Sequence, residues 1–457
     1  MTSFLVRFKK GNMQKSMIEG NTLKLILNFS IPLLLGNLFQ QFYNVVDAAI
    51  VGQTLGSYAL AAVGASSSVQ FLILGFCMGI CQGFAIMVSQ SFGAKRFDEM
   101  HTYIYAGAVW TAITAFVVSI LVVVFCADIL HILQVNDEIF KDAYAYLVVI
   151  FAGIPFTLLY NYLSAILRAI GDSKTPFLFL AFSAVLNIGL DFFCILVLKW
   201  GCAGAAIATI FAQAVSGILC LLLIAFKVNV LHVPKSSRYV DKNHSIKLLA
   251  MGVPMGLQFS ITAIGSMVMQ SANNALGTIY VSGFTAGMRI KSLMMCPFDA
   301  LGAAVSTFLS QNYGAHKLDR IKDGYHKGVM VSIIYGVFAC VVMVFFGRIL
   351  SMMFVSASES QVLNASALYL RRMGYFYPVL GILITTRMSV QGLGYSARAM
   401  LAGFVEMIAR CIVALCFVPI FKYNAITWAD QAAWVAATLV LIPLWVSVMR
   451  TVQKKMC

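Results

Sequence analysis

Long apolar segments recur along this chain, separated by shorter polar loops, and each is about 20 residues or longer. An α-helix needs about 20 apolar residues to cross the hydrocarbon layer of a bilayer. Charged residues make up only 11% of the sequence, whereas soluble domains contain about 25%. The sequence therefore predicts an all-α membrane protein with twelve transmembrane helices. The predicted spans are residues 25–50, 58–88, 102–127, 142–167, 176–198, 203–226, 246–272, 279–309, 325–347, 362–388, 399–420 and 425–449.

The loops between these spans differ in charge. Lys95 and Arg96 follow the second span, and Arg168 and Lys174 flank the turn after the fourth, whereas the opposite loops GQTLGSYA and NNALGT contain no basic residue. Since positively charged loops face the cytoplasm, we expect a multi-pass protein of the cell membrane with both termini in the cytoplasm. The basic loops thereby account for the formal net charge of +15, and we expect no nucleic-acid partner.

The two halves of the chain resemble one another. The stretch SQSFGAKRFDEM begins at Ser89 and SQNYGAHKLDRI begins 221 residues later, at Ser310. The stretches TLGSYALAAVGA at Thr54 and ALGTIYVSGFTA at Ala275 are separated by the same offset. Matched segments in the same order at a constant offset indicate an internal repeat. Because each pair occupies the same kind of loop, the halves should share one orientation and be related by a pseudo-two-fold axis along the membrane normal.

A polar insert, KVNVLHVPKSSRYVDKNHS, follows the sixth span near the midpoint of the chain and is predicted to be a linker. The predicted organisation is a cytoplasmic N-terminal segment (1–24), an N-terminal six-helix lobe (25–226), a cytoplasmic linker (227–245), a C-terminal six-helix lobe (246–449) and a cytoplasmic tail (450–457).

Several motifs, taken in order, resemble the multidrug and toxic compound extrusion (MATE) family. They are IPLLLGNLFQQFYNVVDAAIVG, LAAVGASSS, SQSFGAKR, LRAIGDSKTP, LNIGLD and GAAIAT, with partial copies in the second half. The resemblance extends over essentially the whole chain. It implies two pseudo-symmetric six-helix lobes arranged as a V around a central cavity, and drug export coupled to a cation. We expect a monomer that needs no cofactor besides the coupling ion.

Asp47 and Asp191 stand inside predicted spans of the first half, where an ionisable side chain costs a few kcal/mol. Gln40, Asn44 and Asp47 share one face of the first helix, and Asn187 lies one turn before Asp191. Two carboxylates with amide and hydroxyl oxygens nearby suit either a Na⁺ ion or a shared proton. The alternative is that the two acids are only interhelical hydrogen-bond partners, worth about 0.6–2 kcal/mol, which would scarcely offset the burial.

The resemblance assigns roles to individual residues. In the family, the acids of the first and fifth helices, the Asn one turn before the second acid, the Asn of the fourth helix and the Thr of the sixth form the cation site of the first lobe. The matching residues here are Asp47, Asp191, Asn187, Asn161 and Thr209. Gln40 joins them because it shares the face of Asp47, and a bound Na⁺ would lie at Asp47, Asp191 and Asn187. Asn161, Thr209 and Gln40 also suit ordinary polar contacts between spans.

The second half does not repeat the two acids, because Met269 and Ala414 occupy the corresponding positions. Some family members carry a Glu in the seventh span and an Asp in the tenth, but this chain has Gln258 and the acid-free stretch GYFYPVLGILITT. That departure weakens the case for a second-lobe cation site. The candidate charges of this lobe are Arg289, Lys291, Asp299, Glu406 and Arg410. Glu406 and Arg410 have the four-residue spacing of a structural ion pair on one helix.

The sequence favours a secondary antiporter that exports lipophilic organic cations in exchange for H⁺ or Na⁺. A related alternative is a flippase for lipid-linked glycans, whose cavity would need basic residues for a pyrophosphate, and Arg289, Lys291 and Arg410 keep that alternative open. A non-transporting receptor or scaffold would leave the buried acids and the duplication without purpose. An enzyme is not expected, since no nucleotide loop, metal cluster or nucleophile motif is evident. The expected partners are organic cations and membrane lipids.

Overall fold

The computed structural model describes residues 16–133 and 135–456, and all regular secondary structure in those ranges is helical. The first half contains α1 (Thr22–Leu55), α2 (Ser57–Gly93), α3 (Phe97–Val124), α4 (Cys126–Ile132), α5 (Asp137–Ala152), α6 (Ile154–Ala169), α7 (Lys174–Phe192) and α8 (Gly201–Lys227). The second half contains α9 (Lys242–Asn274), α10 (Thr278–Gly314), α11 (Leu318–Ser351), α12 (Ser360–Gly374), α13 (Tyr377–Gly392), α14 (Ser396–Ile412), α15 (Val418–Phe421) and α16 (Tyr423–Met456). The predicted all-α class is confirmed, while residues 1–15 of the predicted N-terminal segment lie outside the described residues.

Ten helices in the described ranges are long and apolar enough to cross a membrane, and α5 and α6, which meet at a 47° bend, would make eleven if they are counted together as one span. The remaining predicted span, 362–388, falls on α12 and α13. Pro155 and Pro378 stand in the first turns of α6 and α13. Proline is tolerated there because the N–H that it lacks would have no helical partner. The predicted spans at 142–167 and 362–388 are therefore each divided into two helices.

The repeat predicted from the sequence is visible in the backbone. Gly171 after α6 and Gly394 after α13 have φ values of 91° and 93°. Lys95 after α2 and His316 after α10 have φ values of 58° and 54°, which are uncommon for residues other than glycine. The two halves therefore turn in the same way at equivalent points.

Each half has its own hydrophobic core. One core is built from residues between 50 and 248, and the other mainly from residues between 269 and 452. Met17, Ile26 and Phe29 at the start of the chain belong to the second core. Since α1 also packs against α7 of the first lobe, this helix connects the two lobes.

The predicted linker at 227–245 ends earlier than expected, because α9 already begins at Lys242. Two short 3₁₀-helices lie between α8 and α9. A ring nitrogen of His101 on α3 lies 2.8 Å from the carbonyl oxygen of Val230 and holds the linker against the first lobe. Residues 450–456, predicted as a tail, continue α16.

The lobes meet at the end of the bundle where α2 and α10 finish, which we call the terminal face. Here Gln90 Nε2 donates to the carbonyl oxygen of Gly392 at 3.0 Å, and Gln311 Nε2 donates to that of Ala169 at 2.8 Å. Each bond runs from one lobe to the other. The two glutamines occupy equivalent positions in SQSFGA and SQNYGA, so the repeated motif forms a reciprocal contact that closes this face.

This contact depends on two glycines that follow the glutamines. A Cβ atom on Gly93 would lie 2.0 Å from the carbonyl oxygen of Gln311, and one on Gly314 would lie 1.8 Å from that of Gln90. Real Cβ atoms essentially never approach another atom within 3.0 Å. The lobes therefore touch through their backbones at the terminal face.

We call the opposite end of the bundle the distal face. Here α2 and α10 begin, and Tyr58, Leu60, Ile279 and Tyr280 in their first turns are exposed. The structure thus holds the lobes together at the terminal face, whereas the first turns of α2 and α10 at the distal face carry exposed side chains.

Candidate functional site

Asp47 and Asp191 meet in the first lobe, where α1 packs against α7. Asp191 is completely buried near the end of α7, and Asp47 is half-buried in α1. Their carboxyl groups lie within hydrogen-bonding reach of one another. Two ionised carboxylates at such close range repel strongly in a medium of low dielectric constant. The pair is therefore suited to holding a proton or a metal cation.

Asn187 stands beside Asp191, one helical turn earlier on α7. Its Nδ2 atom lies 3.5 Å from Asp191 Oδ1 and 3.4 Å from Thr209 Oγ1 on α8, which are long distances for hydrogen bonds. Among the described residues, Asp47 Oδ1, Asp191 Oδ2 and Asn187 Oδ1 are buried without a hydrogen-bond partner. Buried acceptors without donors are costly, and converging oxygen atoms are the ligands that hard cations prefer.

A small cavity adjoins these residues and shows which positions the sequence analysis missed. It is lined by Tyr43, Leu180, Ser183, Ala184, Asn187, Thr209, Ala212 and Gln213. Tyr43 precedes Asp47 by four residues and Gln213 follows Thr209 by four, so helical spacing from the predicted residues would have found both. Tyr146 of α5 also interacts with Asp47, but no pattern in the sequence relates the two.

Three other predicted residues lie differently. The amide of Asn161 donates to the Thr157 carbonyl oxygen of its own helix at 2.8 Å, and no hydrogen bond within the described residues joins it to the two acids. Gln40 is half-buried and reaches Tyr43. Asn44 is exposed. The polar face of α1 predicted from the sequence is therefore only partly turned toward the acids.

The second lobe contains a buried charge cluster centred on Asp430 of α16. Lys291 Nζ lies 2.6 Å from Asp430 Oδ2, and the Tyr369 hydroxyl donates to the same oxygen at 2.7 Å. Arg410 Nε lies 3.2 Å from Asp430 Oδ1. The sequence analysis missed Asp430 and Tyr369, although Asp430 stands inside the predicted twelfth span and presents the same anomaly as Asp191.

Glu406 extends this cluster on α14. Arg410 Nη2 lies 3.5 Å from Glu406 Oε2, which is the pair suggested by their four-residue spacing. The other carboxylate oxygen, Oε1, pairs with Arg387 of α13. The sequence analysis did not identify Arg387. Arg410 therefore connects the carboxylates of Glu406 and Asp430, and these two acids are shared among three basic side chains, Lys291, Arg387 and Arg410.

Two residues predicted as members of the charge network do not join it through ion pairs. Arg289 is exposed and forms no ion pair in the described part of the chain. It lies two residues before Lys291, which places it about 200° away around α10. Asp299 is also exposed, and it acts on Arg387 electrostatically without forming an ion pair within the described ranges.

The two lobes therefore differ at corresponding positions. Arg410 stands at the same offset from Asn187 as Ala414 does from Asp191. The buried Met269 and Ala414 replace the two acids of the first lobe. Where the first lobe has unpartnered oxygen atoms, the second lobe has a permanent cation bound to Asp430. Beyond this two-carboxylate site, no group of three or more His, Cys, Asp or Glu side chains able to hold a metal ion occurs among the described residues.

Comparisons with known proteins match both halves of the chain. The MatE family model matches residues 32–193 and 254–416. The probable multidrug resistance protein YpnP of Bacillus subtilis (strain 168) is 31% identical over 417 residues, which cover 90% of each chain. A crystal structure of MATE in complex with MaL6 superposes with a TM-score of 0.90 at 20% identity, covering 96% of this chain and 99% of that one. An outward-facing multidrug resistance MATE family transporter gives a TM-score of 0.87 at 19% identity, covering 98% and 99%.

Proposed function

The chain belongs to the multidrug and toxic compound extrusion family, and from this membership we propose that it is a multidrug efflux transporter that exchanges lipophilic organic cations for H⁺ or Na⁺. The prediction of a multi-pass membrane transporter, rather than an enzyme, is confirmed by the family. The coupling ion, the class of exported compound and the residues responsible are the parts that we propose.

One observation carries the coupling role of the first lobe. Three buried oxygen atoms on neighbouring side chains, Asp47 Oδ1, Asp191 Oδ2 and Asn187 Oδ1, have no hydrogen-bond partner in the described structure. A Na⁺ ion would receive these oxygens as ligands, whereas a proton would be shared between the two carboxylates. Either cation removes the repulsion between the acids, and its departure restores that repulsion. Asn187 orients the pair, and Thr209 supports Asn187.

Coupling follows from differential binding in two conformations. A cation can drive transport only if the site binds it more tightly in one conformation than in the other. The site lies between α1 and α7, and α1 also packs against α10 of the second lobe. A change in the charge of the Asp47–Asp191 pair therefore acts on the helix that contacts both lobes. Binding of the cation and of the exported compound should then influence each other reciprocally.

The export proposal also requires an orientation of the protein in the membrane. The terminal face carries Lys95, Arg96 and Lys174, whereas the distal loops at 55–57 and 274–278 contain no basic residue. By the positive-inside tendency, the terminal face is cytoplasmic and both termini lie there. The central cleft that the family resemblance implies would then open to the outside, at the distal face. We propose that one chain suffices for transport, because the cation pocket is built within a single chain.

The flippase alternative is less well supported. Its pyrophosphate would need available basic residues, but Lys291 and Arg410 are buried and bound to acids. Arg289 is the exposed member of the three basic residues on which that alternative relied. A single exposed arginine provides little of the charge that a pyrophosphate requires.

The proposal is tested by transport in reconstituted vesicles. We expect wild-type protein to move ethidium under an imposed pH gradient or an imposed sodium gradient, and the effective gradient identifies the coupling ion. Asp191→Asn keeps the size and polarity of the side chain but cannot ionise, so gradient-driven movement should be lost while the protein still inserts.

Asp128→Asn is the matched control, because Asp128 is an exposed acid on α4. It should transport ethidium like the wild type. Ethidium movement at the wild-type rate by a well-inserted Asp191→Asn variant would contradict the assigned coupling site. Wild-type vesicles that respond to neither gradient would contradict antiport itself.

A further inference from the structure

One face of α10 is polar and exposed. Ser282, Thr285 and Arg289 follow one another at steps of three and four residues, and all are exposed. The same progression leads through the half-buried Ser292 to Asp299, which is exposed as well. Such steps keep side chains on one side of an α-helix. This polar stripe therefore extends from the distal end of α10 past its middle.

The chemistry of the stripe indicates contact with water rather than lipid. The exposed side chains in the middle of the neighbouring α11 are apolar, as illustrated by Ile334 and Phe345, which are 62% and 74% exposed. Charged side chains facing hydrocarbon are costly, so Arg289 and Asp299 require a wet surface. Because α10 packs against α1 and α2 of the other lobe, we assign the stripe to the cleft proposed between the lobes.

Asp299 lies deep in this cleft. It precedes Gly314, at the closed terminal face, by about 22 Å of helix. Cys296, one turn before Asp299, is within hydrogen-bonding reach of Gln41 on α1, which places this part of α10 at the boundary between the lobes. One turn after Asp299, Gly302 lies against Met388 of α13. An adaptable thioether side chain therefore packs against this stretch of α10, one turn from the carboxylate.

Asp299 differs from the other acids inside the spanning segments of the second lobe. Glu406 and Asp430 each bind two basic side chains, whereas Asp299 forms no ion pair within the described ranges. Its cationic neighbour Arg387 is held by Glu406. Arg387 acts on Asp299 electrostatically but forms no ion pair with it in the described part of the chain, so the oxygens of this exposed carboxylate are open to a positive ligand.

We propose that Asp299 receives the positively charged group of the transported compound, at a place separate from the Asp47–Asp191 pair. This assignment rests on the proposed export function and adds the residue that selects for charge. The ligand is a lipophilic organic cation, because one carboxylate provides the charge while Met388 provides an apolar surface.

The test measures binding without a gradient, using the purified full chain in lipid nanodiscs. Fluorescence polarisation gives the affinity for ethidium, which is permanently cationic, and for Nile red, which is uncharged. Asp299→Asn should weaken ethidium binding about 10- to 100-fold, the range for losing a charge-assisted contact. Nile red should bind as it does to the wild type. Asp299→Glu keeps the charge and should retain most of the ethidium affinity.

Asp319→Asn is the matched control, since it removes an exposed acid from the first turn of α11 at the terminal face. It should bind both dyes like the wild type. A folded Asp299→Asn variant with wild-type ethidium affinity would overturn the proposal, as would equal losses of ethidium and Nile red. These outcomes are separate from those of the vesicle experiment, where a failure of wild-type transport under both gradients contradicts antiport and says nothing against the binding result.

Discussion

Replacing Gly314 with alanine should force the two lobes apart at the terminal face. The added Cβ would lie 1.8 Å from the carbonyl oxygen of Gln90, which is backbone of the other lobe and cannot rotate away. Ordinary contact begins at 3.4 Å, so the lobes must separate locally by about 1.6 Å. That displacement also stretches the two reciprocal glutamine hydrogen bonds beyond their useful range.

The magnitude follows from these contacts. Overpacking costs about 1–3 kcal/mol, and the two lost hydrogen bonds cost about 1 kcal/mol each. Alanine returns about 1 kcal/mol through its better helix propensity. The closed terminal face should therefore be destabilised by about 2–4 kcal/mol, which lowers the ratio of closed to open molecules about 30- to 1000-fold.

Spin labels at positions 98 and 319 can measure this change, because Asp98 and Asp319 are exposed in the first turns of α3 and α11. In a cysteine-free background, wild-type protein should show a dominant short distance. Gly314→Ala should shift most of the population to a longer distance. The matched control is Gly64→Ala on α2, where an added Cβ meets no atom within 4 Å, and its distances should match the wild type.

A folded Gly314→Ala variant that keeps the wild-type distance distribution would contradict the predicted clash between Gly314 and the backbone of Gln90. That result would mean that the backbones of the lobes do not touch at this glycine. If Gly64→Ala shifted the distances equally, the effect would belong to glycine replacement in general and not to the contact.

Three further changes test other parts of the molecule. Asp430→Asn removes the carboxylate of a buried ion pair, which costs about 3–5 kcal/mol of stability. The midpoint of thermal unfolding in detergent should therefore fall. An unchanged midpoint would contradict the pairing of Asp430 with Lys291 and Arg410. Asn187→Ala should flatten the pH or sodium dependence of ethidium binding. Asn161→Ala should preserve that dependence, because the amide of Asn161 bonds within its own helix. If Asn161→Ala flattened the dependence and Asn187→Ala preserved it, the assigned roles of the two residues would be exchanged. Burial raises the pKa of Asp172, which lies in the loop before α7. Two backbone N–H groups that donate to this carboxylate lower its pKa, but the effect of burial is larger. Folded protein therefore holds this proton at pH values where the unfolded chain has lost it, so stability falls as pH rises above about 4. The side chain introduced by Asp172→Asn cannot ionise, so this variant should be thermally more stable than the wild type at pH 7. Below pH about 4 the two proteins should be equally stable. A gain in stability that does not depend on pH would contradict the burial of this charge.

The sequence predicted the features that depend on local composition. Apolar length and the positions of basic loops fix the spans, and the offset of the SQSFGA and SQNYGA motifs predicts the duplicated architecture. Asp191 was identified because a carboxylate in an apolar run is costly wherever the chain goes. The divisions of the spans at Pro155 and Pro378 were less accessible, since a proline inside an apolar run fits either a kinked helix or a new helix start.

The contacts between distant segments were not predictable in the same way. Lys291 and Asp430 are separated by 139 residues, and nothing local in the sequence indicates which basic residue meets which acid. Arg289 and Lys291 are only two residues apart, yet one is exposed and the other is buried. The orientation of α10 against its neighbours decides this difference. Asn161 shows the same limit, because its place on α6 does not determine where its amide points.

The central claim is that the first lobe alone holds the coupling cation, at Asp47 and Asp191. The most direct measurement is the affinity for ethidium across pH and sodium concentration, compared among the wild type, Asp47→Asn, Asp191→Asn, the double variant and Glu406→Gln. Each single acid replacement should flatten the dependence, and the double variant should add little to either one, because the two carboxylates act as one coupled site. Glu406→Gln should lower stability but preserve the dependence. If Glu406→Gln alone abolished it while Asp191→Asn retained it, the coupling site would lie in the second lobe and the account would be contradicted.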